Sequence, residues 1–135
     1  KEEIKEAIYS RDESNEFPIE VRTQFIKLNE DEATLFVLTH LDLHYLSLRK
    51  DEGQSLNNVT VVTALFDGTG KFLKATQERL EFRLQDSSLE RLLRSGVTVR
   101  SNFEVNPGTY LVRQVVREDE GGQLSSLSRT VEIHY

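Results

Sequence analysis

The stretch VTVRSNFEVNPGTYLVRQVVR, residues 97–117, decides how the chain is read. Val97, Val99, Ser101, Phe103 and Val105 alternate with Thr98, Arg100, Asn102 and Glu104. A period of two is what a strand with one buried and one wet face requires. Asn106-Pro107-Gly108 follows as a turn, in which Pro107 presets φ at the first central position and Gly108 accepts a positive φ at the next. From Thr109 to Glu118 a second run alternates: Tyr110, Val112, Gln114 and Val116 on one face, Leu111, Arg113, Val115 and Arg117 on the other. Two arginines make the second face the outer one, so Tyr110 points inward. The reading is a central hairpin of an antiparallel β-sandwich. Tyr110 either returns its hydroxyl to backbone near the turn, as in the tyrosine corner of immunoglobulin-like sandwiches, or is an ordinary core tyrosine.

Further strands surround this one. Phe17-Pro18 opens a strand to about residue 28, with Ile19, Val21, Thr23 and Phe25 on one face; a proline at its start suits an edge. Residues 33–44 alternate cleanly, Leu35, Val37, Thr39, Leu41 and Leu43 inward, His40 and His44 outward. Residues 45–58 read as the longest loop, with Lys50-Asp51-Glu52-Gly53 as its turn. Residues 59–67 are apolar on both faces, which places that strand centrally. Asp67-Gly68-Thr69-Gly70 turns the chain into a return strand at 71–85, whose polar middle suggests a bulge or split. Ser87-Ser88-Leu89-Glu90 matches a capping box, and Gly96 closes the short helix, which links opposite sheets. A last strand covers 124–134. At the other terminus, Ile4, Ala7 and Ile8 form one stripe of a helix over residues 1–10. Ten residues do not hold a helix alone in water, so it docks on the sandwich or continues from a preceding domain. The expected organisation is an all-β, immunoglobulin-like antiparallel sandwich of about seven strands over 17–135, preceded by a helix and acidic connector over 1–16.

Composition narrows the function. The 135 residues suit one domain, burying roughly two-thirds of its unfolded surface. The net charge of −6 argues against nucleic acid and anionic membranes, which reward a basic face. No apolar run reaches about 18 residues, so no membrane span is expected. The absence of cysteine removes disulfides, thiol nucleophiles and thiolate metal sites. The chain begins Lys-Glu-Glu and contains no methionine, so it reads as a piece of a longer protein.

Motifs for chemistry are sparse. His40 and His44, four residues apart along a strand, would stand about 13 Å apart at ~3.3 Å per residue, too far to share one ion. They read as outward polar side chains. Asp51, Glu52, Asp86, Glu118, Asp119 and Glu120 fall in turns that share one end if the strands run up and down. Clustered carboxylates there suit Ca²⁺, but no Asp-x-Asp-x-Asp-Gly loop is present, and solvated charge is favoured. There is no Gly-x-Ser-x-Gly elbow and no phosphate-cradling glycine loop. Asn58-Val59-Thr60 is a glycosylation sequon, meaningful only in a eukaryotic secretory pathway. No catalytic, cofactor-binding or metal-ligating residue is expected.

The order of elements resembles the carboxy-terminal region of bacterial von Willebrand factor A-related proteins. The cues are Glu6-Ala7-Ile8-Tyr9-Ser10, Phe17-Pro18-Ile19-Glu20-Val21, residues 61–67 (VVTALFD), residues 107–113 (PGTYLVR) and Thr130-Val131-Glu132-Ile133. The resemblance implies a secreted, periplasmic or envelope module following an A-type domain. It does not transfer that domain's metal site: Asp86, Ser88 and Glu90 occupy the spacing of its Asp-x-Ser-x-Ser. The expected function is a non-catalytic interaction or scaffold module, bound to a protein partner or to a neighbouring domain of its own chain. A module for carbohydrate or Ca²⁺ is the alternative. Loops on a rigid sandwich carry recognition, so the expected surface is the end bearing 45–58, 86–95 and 118–122.

Overall fold

The computed structural model describes residues 2–10 and 12–134; Lys1 and Arg11, parts of the predicted helix and connector, and Tyr135 lie outside the described residues. The elements are α1 (Glu2–Tyr9), β1 (Ser14–Asn15), β2 (Glu20–Lys27), β3 (Ala33–Leu41), a 3₁₀ turn (Leu43–Tyr45), β4 (Arg49–Asp51), β5 (Gln54–Asp67), β6 (Phe72–Leu84), α2 (Asp86–Ser95), β7 (Val97–Val105), β8 (Gly108–Glu118) and β9 (Leu124–Ile133). β2, β3 and β7 form one sheet in that order. The other runs β1-β9-β8-β5, with β5 also bonded to β6 and to the short β4. All pairings are antiparallel. This is an all-β, immunoglobulin-like sandwich, as expected from the sequence, with β1 and β4 as short additions.

The stretch 97–117 is not a hairpin. β7 pairs with β3, from Ala33↔Val105 to Leu41↔Val97, whereas β8 lies between β5 and β9. Asn106 and Pro107 therefore carry the chain from one sheet to the other. Inward alternation on both sides of a Pro-Gly turn suits a crossing as well as a hairpin, because either arrangement aims both apolar faces at the core. Gly108 has φ +152°, a backbone state open to glycine. The half-buried Tyr110 donates its hydroxyl to the Asn106 carbonyl at 2.6 Å. That bond across the sheet-to-sheet step is a tyrosine corner.

Inner faces follow the alternation. Val99, Ser101, Phe103 and Val105 of β7 are buried, and Thr98, Arg100, Asn102 and Glu104 are exposed. Val112, Gln114 and Val116 of β8 are completely buried. The core forms two apolar clusters, one around Leu35, Leu65 and Phe103 and the other around Leu41, Val61 and Phe82. Buried Thr39, Thr63, Ser101 and Gln114 make a polar band in which Gln114 Nε2 donates to Thr39 Oγ1 at 2.8 Å.

The outer face of β8 is buried as well. Helix α1 lies across it with Ile4, Ala7 and Ile8 half-buried, the stripe read from the sequence. Beneath it, Arg113 is 1% exposed. Its Nε donates to the Ala7 carbonyl at 2.9 Å, its Nη1 to Ser128 Oγ at 2.9 Å and its Nη2 to Ser126 Oγ at 3.2 Å and to the Asp12 carbonyl. A cation taken as a mark of the wet face thus fastens the helix and its connector to the sheet.

Other boundaries shift. β3 stops at Leu41, and the predicted loop 45–58 contains β4 and the first residues of β5. β6 runs unbroken through its polar middle; the register slips only beside Leu65 and Phe66. Helix α2 starts at Asp86 with Gln85 as its N-cap, so the Ser87-to-Glu90 capping box does not form. Gly96 does close that helix, at φ +69°, and a Cβ there would stand 2.4 Å from His40 Nε2 and 2.8 Å from the Leu41 carbonyl.

Candidate functional site

The antiparallel order brings the ends of β3, β6 and β8 and the starts of β2, β7 and β9 to one end of the sandwich. Two ion pairs tie its loops together. Lys50 Nζ lies 3.0 Å from Asp86 Oδ1, and Arg49 Nε lies 3.3 Å from Glu120 Oε2. Arg49 also reaches Asp51 at 3.9 Å. Asp119 sits between two guanidinium groups, 2.8 Å from Arg117 and 3.4 Å from Arg79. Glu52 occupies the left-handed φ of +51° in the β4–β5 turn.

Glu118 is different in kind. It is fully buried, and its carboxylate accepts from Asn57 Nδ2 at 3.0 Å, the Gly121 N–H at 2.8 Å and the Gln123 N–H at 3.0 Å. Asn57 is also buried; it donates to the Ser47 carbonyl at 2.6 Å and accepts from the Glu120 N–H at 3.1 Å. The network satisfies the turn between β8 and β9 from within. Gly121 is part of it, since a Cβ there would lie 2.3 Å from Glu118 Oε2. Four of the six candidate carboxylates, Asp86, Glu118, Asp119 and Glu120, therefore have hydrogen-bond donors. Among the described residues no group of three or more His, Asp or Glu side chains is placed to hold a metal ion.

The histidines separate by another route than the sequence suggested, since His44 lies in the 3₁₀ turn rather than on β3. His40 Nδ1 is 3.1 Å from Thr98 Oγ1, and His44 Nδ1 is 2.7 Å from Asp42 Oδ1. The Asp42 carboxyl is held below its ordinary range, chiefly by the His44 backbone N–H and then by the His44 side chain.

Two concave features escaped sequence reasoning. A groove of about 710 Å³ runs beside α1, with Ile4, Ile8, Val62 and Ala75 as its apolar lining and Arg79, Arg117 and Asp119 at its rim. Arg117 Nε bonds Glu3 at 2.7 Å, which fastens the start of α1 and raises the guanidinium above its ordinary range. The outward Val62 and Ala64 of a strand apolar on both faces were the available signal for a cover there. The second feature is a shallow hollow of about 200 Å³ lined by Pro18, Glu20, His40, Asp42 and Tyr45. Among the described residues no helix is long and apolar enough to cross a membrane.

No family model and no curated protein matches the chain. Solved structures do. A β-glucuronidase of Bacteroides uniformis is similar with a TM-score of 0.51 at 13% identity, over 87% of this chain and 13% of its own. A glycosyl hydrolase family 2 member from Bacteroides cellulosilyticus is similar with a TM-score of 0.53 at 14% identity, over 84% of this chain and 14% of its own. The chain thus spans about one-seventh of the length of these proteins. At such identities the likeness is one of fold. It overturns the resemblance to von Willebrand factor A-related proteins, because the structural likeness runs to glycosyl hydrolase family 2 proteins instead. The cues for that resemblance, a Phe-Pro strand start, a Pro-Gly-Thr-Tyr corner and alternating valines, are what any sandwich of this topology needs. The secreted or envelope placement drew on that resemblance alone.

Proposed function

We propose that this chain is a non-catalytic β-sandwich module of a larger carbohydrate-active protein, with its loop end as the surface for a partner or neighbouring domain. The observation that carries the non-catalytic part is the state of the carboxylates. Glycoside hydrolysis needs two carboxyl groups flanking one bond, one of them kept protonated near neutral pH. The large groove is lined by a single carboxylate, Asp119, paired with the guanidinium groups of Arg79 and Arg117. The small hollow has two, Glu20 and Asp42, but Asp42 is pushed down rather than up. That is the wrong direction for a general acid. The fold likeness to portions of glycosyl hydrolase family 2 proteins supports the modular part of the reading.

Incubation of the purified chain with p-nitrophenyl β-glucuronide and β-galactoside is the direct test. Release of nitrophenol at the buffer rate is expected. Turnover that disappears in Asp42→Asn or Asp119→Asn would overturn the proposal.

A further inference from the structure

The hollow beside Tyr45 is a built feature. Asp42 caps the 3₁₀ turn by accepting the His44 N–H at 3.0 Å, the Tyr45 N–H donates to the Asp42 carbonyl at 3.1 Å, and the Leu46 N–H donates to the Leu43 carbonyl at 3.2 Å. Leu43 and Leu46, on either side of the tyrosine, are core anchors at 1% and 7% exposure. The backbone of Tyr45 is therefore pinned from both directions while its ring stands 53% exposed. A flexible loop would fold such a ring down, because burying an aromatic side chain is favourable; this turn keeps it out. Across the hollow, Glu20 lies opposite His40 in the β2–β3 register, and its carboxylate has no hydrogen bond or ion pair among the described residues. His40 is fixed by Thr98 on one side and by the bare backbone of Gly96 on the other.

We infer that this hollow binds one ring of a neutral carbohydrate. The inference rests on the reading of the chain as a module of a carbohydrate-active protein. A sugar ring has an apolar C–H face and a girdle of hydroxyl donors. Tyr45 and Pro18 supply flat apolar surface, and the carboxylates of Glu20 and Asp42 accept hydroxyl protons in charge-assisted bonds. The hollow, of about 200 Å³, has room for a single ring. Two carboxylates in the lining repel a uronate, so the selectivity is for uncharged sugars. Affinity at one ring is weak, in the millimolar range, because few atoms are engaged.

The test is titration of the ¹⁵N-labelled chain with methyl β-glucoside, methyl β-galactoside, methyl α-mannoside and sodium glucuronate, beside electrophoresis through gels containing soluble neutral polysaccharides. Saturable shifts of the Glu20, Asp42 and Tyr45 amides with a neutral glycoside are expected, with glucuronate weaker. Tyr45→Ala weakens binding about tenfold and Tyr45→Phe retains most of it. Saturable shifts elsewhere, or retardation in the gels without shifts at the hollow, overturn the site and leave the carbohydrate module standing. Absence of both shifts and retardation overturns carbohydrate binding by this chain, and the non-catalytic module reading then stands or falls by the hydrolysis assay alone.

Discussion

β7 and β8 are consecutive strands of similar pattern, yet they live in different surroundings. β7 has one wet face: Thr98, Arg100, Asn102 and Glu104 stand in solvent, and Arg100 rests over the Phe36 ring at 5.6 Å. β8 has none along its middle, where Val112 and Gln114 face the other sheet and Arg113 and Val115 face α1 and its connector. Both strands carry outward arginines, and the two arginines mean opposite things. Arg100 lies along the surface, whereas Arg113 is buried and spends its fork on carbonyl and hydroxyl oxygens. Charge on a strand marks solvent only when nothing else in the chain claims that face.

The sharpest way to break this contrast is at Arg113. Arg113→Met keeps the bulk and removes the donors, leaving the Ala7 and Asp12 carbonyls without them; a loss of about 3 kcal/mol is expected. Hydrogen exchange would show α1 losing protection while β7 keeps its own. Unchanged protection of α1 would mean that the apolar stripe alone holds the helix. A matched pair comes next. Val115→Ala is expected to cost about 2 kcal/mol, from lost transfer energy plus a cavity under the helix connector. Asn102→Ala, outward on β7, should stay within about 0.5 kcal/mol. Equal costs in urea denaturation would mean that the two outer faces are alike. Smaller again is Tyr110→Phe, which deletes only the hydroxyl bond spanning the step between the two strands. About 1 kcal/mol is expected, with the same denaturant slope.

How far the sequence reaches follows the same line. Period-two alternation located the inner faces of β3, β7 and β8, and the stripe of Ile4, Ala7 and Ile8 named the face on which α1 docks. These are local patterns, each set by one element's own need to bury a side. What stayed hidden depends on distant partners. Arg113 is 106 residues from the Ala7 carbonyl it bonds, and Glu118 is 61 residues from Asn57. Only its period-two parity with Val116 at the end of the strand sets Glu118 apart from Asp119 and Glu120, and its interior partners lie far off in sequence, whereas those two are in surface ion pairs. The Tyr45 hollow was hidden for a related reason: the chain there reads as a loop, and only the buried flanks at Leu43 and Leu46 show that its shape is fixed.

The gentlest probe compares a buried charge with an exposed one. Burial pushes the Arg113 guanidinium down from the ordinary arginine range. Asp67 lies in the exposed β5–β6 turn, and its carboxyl is also shifted down, but by hydrogen bonds: first the Thr69 hydroxyl at 2.6 Å, then the Lys71 N–H at 3.0 Å. A carboxyl whose folded value lies below the ordinary 3.8 stabilises the fold above that pH and loses the contribution as pH falls through the folded value. Arginine stays protonated throughout the acid range, so Arg113 adds no such slope there. Thermal melts of wild type and Asp67→Asn should therefore differ slightly at neutral pH and converge below pH 3.8. A gap that persists unchanged into acid would show that the turn is held by shape rather than by the charge of Asp67. The same melts with Arg113→Met should show a gap that no acid titration of that site closes, because what it lost was a set of buried bonds.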